Sequence, residues 1–239
     1  EPRRRPRGPG RHRPFQRHPG PAGLIARRAL LLAALGACAL PAWATRSITI
    51  EGTTFAGDIT LAGAALQLNG VGLRAVAWLR GYAAGLYLPA TASTTSAVLA
   101  QPGPKRLQLR LFFDVDAEEF VKAFHKGVAR NTPAPDAARL VERMARFDAQ
   151  VRSLGKLRKR DVIDLDFVPG RGLVLSRNGT VRGDAIAGDD LYAALLRCFL
   201  GERPADPEMK IGLLGGPVGR SRRPEMIRPD RPSSTPHGD

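Results

Sequence analysis

The sequence predicts an α+β fold in which a large antiparallel β-sheet carries a layer of helices on one face. Three observations lead there. Strand-like alternation dominates residues 47–113 with almost no helical periodicity between the runs. Two amphipathic helices then follow in succession. A tight hairpin and one more helix close the body. Parallel crossover units need a helix between successive strands, so clustered strands argue against them.

The elements follow in order. Ile48 and Ile50 alternate with polar neighbours until Gly52. Ala64–Pro89 reads as two long strands with bulges or bends at Gly70, Gly72, Gly81 and Gly85. A short helix over Ser93–Ala100 stops at Pro102-Gly103-Pro104. In Lys105–Phe113, Leu107, Leu109 and Leu111 face one way and Arg106, Gln108 and Arg110 the other, predicting a strand with one wet face. Asp116-Ala117-Glu118-Glu119 opens a helix to about Arg130 in the manner of a capping box. Phe120, Val121, Phe124 and Val128 form its apolar stripe. Asp136 is expected to cap a second helix with Leu140, Met144, Phe147 and Val151 at helical spacing. Ile163, Leu165 and Phe167 alternate with acids, and Pro169-Gly170-Arg171-Gly172 turns the chain. Asn178-Gly179 signals a two-residue hairpin into Thr180–Ile186. Asp189 or Asp190 caps a last main helix, Leu191–Leu200, which Gly201 ends, and Pro207–Leu214 reads as one more short helix.

The formal charge of +15 is concentrated at the ends. Residues 1–44 carry nine Arg and one Glu, residues 216–239 carry five Arg and three acids, and the body retains +5. The basic run Lys156–Arg160 lacks aromatic neighbours for base stacking and reads as a solvated connection, so no nucleic-acid partner is expected. Arg27-Arg28, the apolar run Ala29–Leu40 and Pro41-Ala42-Trp43-Ala44 have the three parts of a cleaved signal peptide. The run is too short to span a bilayer. A secreted, periplasmic protein is expected, cut after Ala44. The lipobox-like Leu35-Gly36-Ala37-Cys38 leaves a lipoprotein as the lesser alternative. The division is therefore a basic tail plus leader at 1–44, one domain at 45–215 and a disordered tail at 216–239. With no Met before Met144, the first twenty-odd residues read as lying upstream of the true start.

Cys198 stands alone after the leader, and His125 is the one body histidine, so neither an intrachain disulfide nor a His/Cys metal site is expected. Phosphate-cradling, nucleophile-elbow and zinc-protease motifs are absent, and no cofactor is expected. Arg74 stands out. It lies in a strand apolar on both parities and shares its face with Val76 and Trp78. A buried guanidinium needs a partner, because an unpaired buried charge costs on the order of 3–5 kcal/mol. That partner is an internal carboxylate such as Asp114 or Glu119, or the carboxylate of a ligand.

Leu68-Asn69-Gly70-Val71-Gly72-Leu73-Arg74, Tyr82-Ala83-Ala84-Gly85-Leu86-Tyr87-Leu88-Pro89 and Gly188-Asp189-Asp190-Leu191-Tyr192-Ala193-Ala194-Leu195-Leu196 resemble chalcone isomerase-like proteins, most nearly the bacterial secreted branch, over residues 46–215. The resemblance implies an open-faced β-sandwich with a cleft between sheet and helices. It places Arg74 where the plant enzymes keep a cleft Arg, and where non-catalytic members hold a fatty-acid carboxylate. Other cleft positions depart from the enzymes: Tyr82 replaces a Thr, Phe120 a Tyr, Gly127 an Asn and Cys198 a Ser/Thr. Each lost donor to the developing enolate costs ~10²–10³ in rate, so plant-type isomerase activity is not expected. The expected ligand-binding set is Arg74, Tyr82, Phe120, Gly127 and Cys198, around a small apolar carboxylate. Protein partners are not indicated.

Two rivals remain. One is an isomerase or intramolecular lyase on an enone-like substrate, with Arg74 as electrophile and Tyr82 as proton donor. The other is a non-catalytic structural or interaction protein whose Arg74 is paired by Asp114, Asp116 or Glu119. Taken singly, Tyr82 and Tyr87 also read as sheet-edge aromatics, Phe120 as core and Cys198 as a small buried hydrophobe. N-terminal sequencing of the exported protein should return a chain beginning at Thr45. A mature product retaining Pro14 or Phe15 would refute the upstream reading of the first twenty-odd residues.

Overall fold

The computed structural model describes residues 47–76 and 79–218. The expected leader, the C-terminal tail beyond Val218 and Trp78 lie outside the described residues. The body opens with β1 (Ile48–Ile50) and β2 (Thr53–Phe55), an antiparallel pair. There follow β3 (Asp58–Leu61), β4 (Ala64–Val76), β5 (Leu79–Leu88), α1 (Thr95–Ala100), β6 (Lys105–Leu111) and β7 (Val115–Asp116). Then come α2 (Ala117–Asn131), α3 (Ala134–Ser153), β8 (Lys156–Leu157), β9 (Val162–Val168), β10 (Gly172–Arg177), β11 (Thr180–Val181), α4 (Asp189–Leu200) and α5 (Pro207–Leu213). The main sheet has seven strands in the order β11-β10-β9-β6-β5-β4-β3, and every pairing is antiparallel. This is the fold class the sequence predicts.

Alternation along each strand assigns the two faces. Leu86, Leu88, Leu107, Leu109, Ile163, Leu165, Leu173 and Leu175 join the main core beneath the helices. α4 runs through the middle of that layer, with Leu191, Leu195, Leu196, Phe199 and Leu200 all buried. The opposite face holds a second core of Phe55, Leu66, Leu68, Val71, Leu73, Ala83 and Tyr87, with Ile48 and Ile50 of the β1–β2 pair packed against it. The sheet is therefore covered on this side too, where only helices on one face are expected.

The expected wet face of β6 is polar but enclosed. Arg106 donates through Nε and Nη2 to the two carboxylate oxygens of Asp166, at 2.6 and 2.7 Å, and Gln108 donates to Asp164 at 2.8 Å. Asp164, Asp166 and Gln108 are buried, and the Arg110 guanidinium lies over the Phe55 ring. Alternation reads polarity, and a paired polar layer under long side chains has the same signature as a solvated one.

Several boundaries move for local reasons. α3 starts at Ala134 with Pro133 as its N-cap, so Asp136 lies in the first turn instead of capping. The N-cap of α4 is Gly188, at φ 111°, ahead of Asp189 and Asp190. Asp116 is the N-cap of α2 but makes no side-chain capping bond, so the capping box does not form. Asn178 and Gly179, with φ of 53° and 78°, form the primed turn the dipeptide predicts. The strand after it ends at Val181, and Ile186 returns only as an isolated bridge to Leu173. Tyr82 and Tyr87 lie on β5, interior to the sheet and not at its edge.

The contact that positions the site is between α5 and β4. After the bulge between Leu68 and Gly70, the glycines at 70 and 72 face the helices. A Cβ on Gly70 would stand 2.1 Å from the Gly212 carbonyl oxygen, and one on Gly72 would stand 2.5 Å from that of Met209. On the helix side, a Cβ on Gly212 would meet the Val71 carbonyl oxygen at 2.2 Å. Helix backbone thus rests directly on strand backbone. Gly72→Val should destabilise the fold by about 1–3 kcal/mol in urea unfolding. A loss under ~0.5 kcal/mol, the range of neutral surface changes, would show that α5 does not rest on β4.

Candidate functional site

Arg74 follows the two glycines on the same face of β4 and pairs across the ladder with Tyr82 of β5. It is half-buried, and its Nη1 donates to the Ala205 carbonyl at 2.6 Å, just before α5. The neighbouring Asp206 caps α5, its side chain accepting from the Met209 N–H at 3.1 Å. Asn69 holds the other end of the helix: its Nδ2 donates to the Leu213 carbonyl at 2.7 Å and to the Ala92 carbonyl at 3.0 Å. The Asn-Gly-x-Gly-x-Arg block is therefore, first of all, a cradle for α5.

None of the three carboxylates considered for Arg74 reaches it. Asp114 accepts from Arg158 Nη1 and from the Lys159 N–H, both at 2.9 Å. Glu119 pairs with Lys122 at 2.8 Å, and Asp116 sits at the start of α2. Among the described residues the Arg74 guanidinium has one carbonyl acceptor and no acidic partner.

Tyr82 completes the neighbourhood. Burial pushes its phenol up to about 12; Asp206 and Cys198 add to the shift and Arg74 opposes it. The hydroxyl stays protonated at ordinary pH and is available as a donor, with no hydrogen-bond partner among the described residues. Arg74 and Tyr82 thus stand side by side where β4 and β5 face α5, with Asp206 next to the carbonyl that Arg74 holds.

The other expected site residues are taken up by helix packing. Cys198 is buried, its thiol 3.3 Å from the Ala194 carbonyl, and burial pushes it up to about 12. Gly127 lets α2 approach α4, because a Cβ there would meet Cys198 Sγ at 2.6 Å. Phe120 belongs to an aromatic series between α2 and α3, its ring 6.3 Å from that of Phe147, which lies 5.0 Å from Phe124. The structure therefore sets Arg74 beside Tyr82, and leaves Phe120, Gly127 and Cys198 with the helix interfaces. Asp206 and Asn69 are missed at the sequence level; the one signal for Asn69 is its place before Gly-x-Gly.

Three hollows formed by described residues lie elsewhere on the helix side, of about 500, 410 and 680 Å³, and neither Arg74 nor Tyr82 lines any of them. Among the described residues no helix is long and apolar enough to cross a membrane, and no three His, Cys, Asp or Glu are grouped to hold a metal ion.

A seven-stranded antiparallel sheet backed by helices, with an arginine beyond a pair of strand glycines, defines a class of small α+β domains. The profile described as chalcone isomerase-like matches residues 47–215, and the chain belongs to that family. Among solved structures, it is similar to a fatty-acid binding protein of Arabidopsis thaliana. The TM-score is 0.54 at 17% sequence identity, with 71% of this chain and 96% of that one covered. No curated protein matches the sequence.

The tyrosines give a pH prediction. All three phenols, Tyr82, Tyr87 and Tyr192, are raised above the ordinary 10.0 by burial. An acid whose folded value is raised contributes stability fully below its unfolded value and loses it as pH rises toward the folded one. Unfolding free energy should therefore fall between pH 10 and about 12, and tyrosinate absorbance should appear only as the fold is lost. A phenol ionising at 10 in the folded protein would contradict this.

Proposed function

We propose that this chain is a periplasmic binding protein for a small apolar carboxylate of the fatty-acid type, with Arg74 as its anchor. The observation that carries the reading is a half-buried guanidinium with no acidic partner among the described residues, beside a phenol held neutral. The Ala205 carbonyl stands where one oxygen of a ligand carboxylate would be held. An incoming acid would replace that neutral acceptor with a charged one, and charge-assisted hydrogen bonds are the stronger kind. Tyr82 would give a second donor. Burial of the apolar tail would contribute roughly 25 cal/mol per Å². Membership of the chalcone isomerase-like family and the likeness to a fatty-acid binding protein support the ligand class. The leader-like segment supports export.

At the family positions of the enzymes' cleft donors, Phe120 and Gly127 have no side-chain hydrogen-bond donor for an enolate, which supports binding over turnover. Native mass spectrometry of protein purified without detergent tests the reading. The wild type should carry a fatty acid that Arg74→Ala has lost, with circular dichroism unchanged. An equal lipid load in both would remove Arg74 as the anchor.

A further inference from the structure

Lys105 breaks the pattern of its own strand. It stands in phase with Leu107, Leu109 and Leu111, on the side of β6 that faces the helices, and only 5% of it is exposed. Lysines this buried are almost always paired. Its ammonium donates to the Gln101 carbonyl at 2.5 Å and lies 5.2 Å from the centre of the Phe167 ring. No carboxylate among the described residues comes within ion-pair distance. One of its three N–H groups is used and two have no protein acceptor among the described residues. Burial pushes its pKa down, and Asp189 only partly offsets that.

Lys105 is among the residues that line a hollow of about 500 Å³ between α1, the β9–β10 turn and α4. That volume falls in the range of small-molecule sites. Leu99, Phe167, Pro169, Tyr192 and Leu196 form the apolar half of its lining, Gln101, Lys105, Asp189 and Asp190 lie on the polar half, and the Phe167 and Tyr192 rings lie 5.4 Å apart. The hollow is separate from the Arg74 neighbourhood. Tyr82 pairs with Leu111, at the far end of β6, roughly 20 Å along the strand from Lys105. Leu107 and Leu109 fill the space between.

We propose that this hollow is a second ligand site, taking a small monocarboxylate with an aromatic or branched apolar body, its carboxylate held by Lys105 Nζ. Two free N–H groups on a buried cation match the two oxygens of a carboxylate, and the ring-lined walls match a flat or compact body. The rim sets the charge. Asp190 is engaged by Arg143 at 2.7 Å, whereas Asp189 is exposed and in no ion pair among the described residues. Asp189 repels a dianion such as a phosphate monoester with twice the charge it opposes to a monoanion, so the rim favours a single negative charge.

Calorimetry on the full chain with phenylacetate, and with phenylacetamide as the neutral control, tests the site. The acid should bind, the amide about tenfold or more weaker, and Lys105→Met should weaken the acid to the level of the amide. Asp189→Asn, an exposed change that leaves the core intact, should tighten the acid several-fold and leave the amide unmoved. Absence of phenylacetate binding, equal affinity for acid and amide, or unchanged acid affinity in Lys105→Met each overturns the proposal. Should Lys105→Met not fold, acid affinity unchanged by Asp189→Asn overturns it alone.

Discussion

Where α5 crosses β4, no side chain separates the two backbones, and much of the molecule's chemistry follows from that closeness. Gly70, Gly72 and Gly212 make the approach possible. Asn69 and Arg74 bind the two ends of the crossing helix through the carbonyls of Leu213 and Ala205. This seats Asp206 near Tyr82 and brings a cation, a carboxylate and a neutral phenol to one place. A larger residue at either strand glycine would lift α5 and separate all of them. The glycines therefore act on the site indirectly, by setting the distance at which its polar groups meet.

Much of this was legible in the sequence, and what was not has physical reasons. The leucine alternation of β6 and the stripes of α2 and α3 report packing, and packing is what decides those elements. The Asn178-Gly179 turn was readable because two successive left-handed residues admit few side chains. Helix starts were less readable: Pro133 and Gly188 cap through backbone geometry where nearby aspartates were expected to cap through side chains. At the site, Arg74 was found because a charge is conspicuous in an apolar strand, and Tyr82 was named from a family position. Asp206 was not, since it lies 132 positions after Arg74. Phe120 and Gly127 were named from family positions, and their neighbours are other helices.

The two cations on the helix-facing side invite comparison. Arg74 is half-buried, holds a carbonyl and lies beside a phenol, whereas Lys105 is almost wholly buried against an aromatic ring with donors to spare. On the other face, Arg106 shows what a paired cation looks like in this fold, with two carboxylate oxygens at hydrogen-bonding distance. Burying a charge is tolerable with such geometry and costly without it. Neither Arg74 nor Lys105 has it from the described residues.

The packing of Gly127 against Cys198 has a consequence for how copies of this protein behave in an oxidising medium. A thiol attacks another sulfur as its thiolate, and only when the two can touch. Here the sulfur is walled in by the helix that the glycine admits, and its proton is held far above neutrality. An accessible unpaired thiol would ordinarily cross-link neighbouring chains in air. Cys198 is kept out of circulation by packing alone, with no disulfide partner among the described residues.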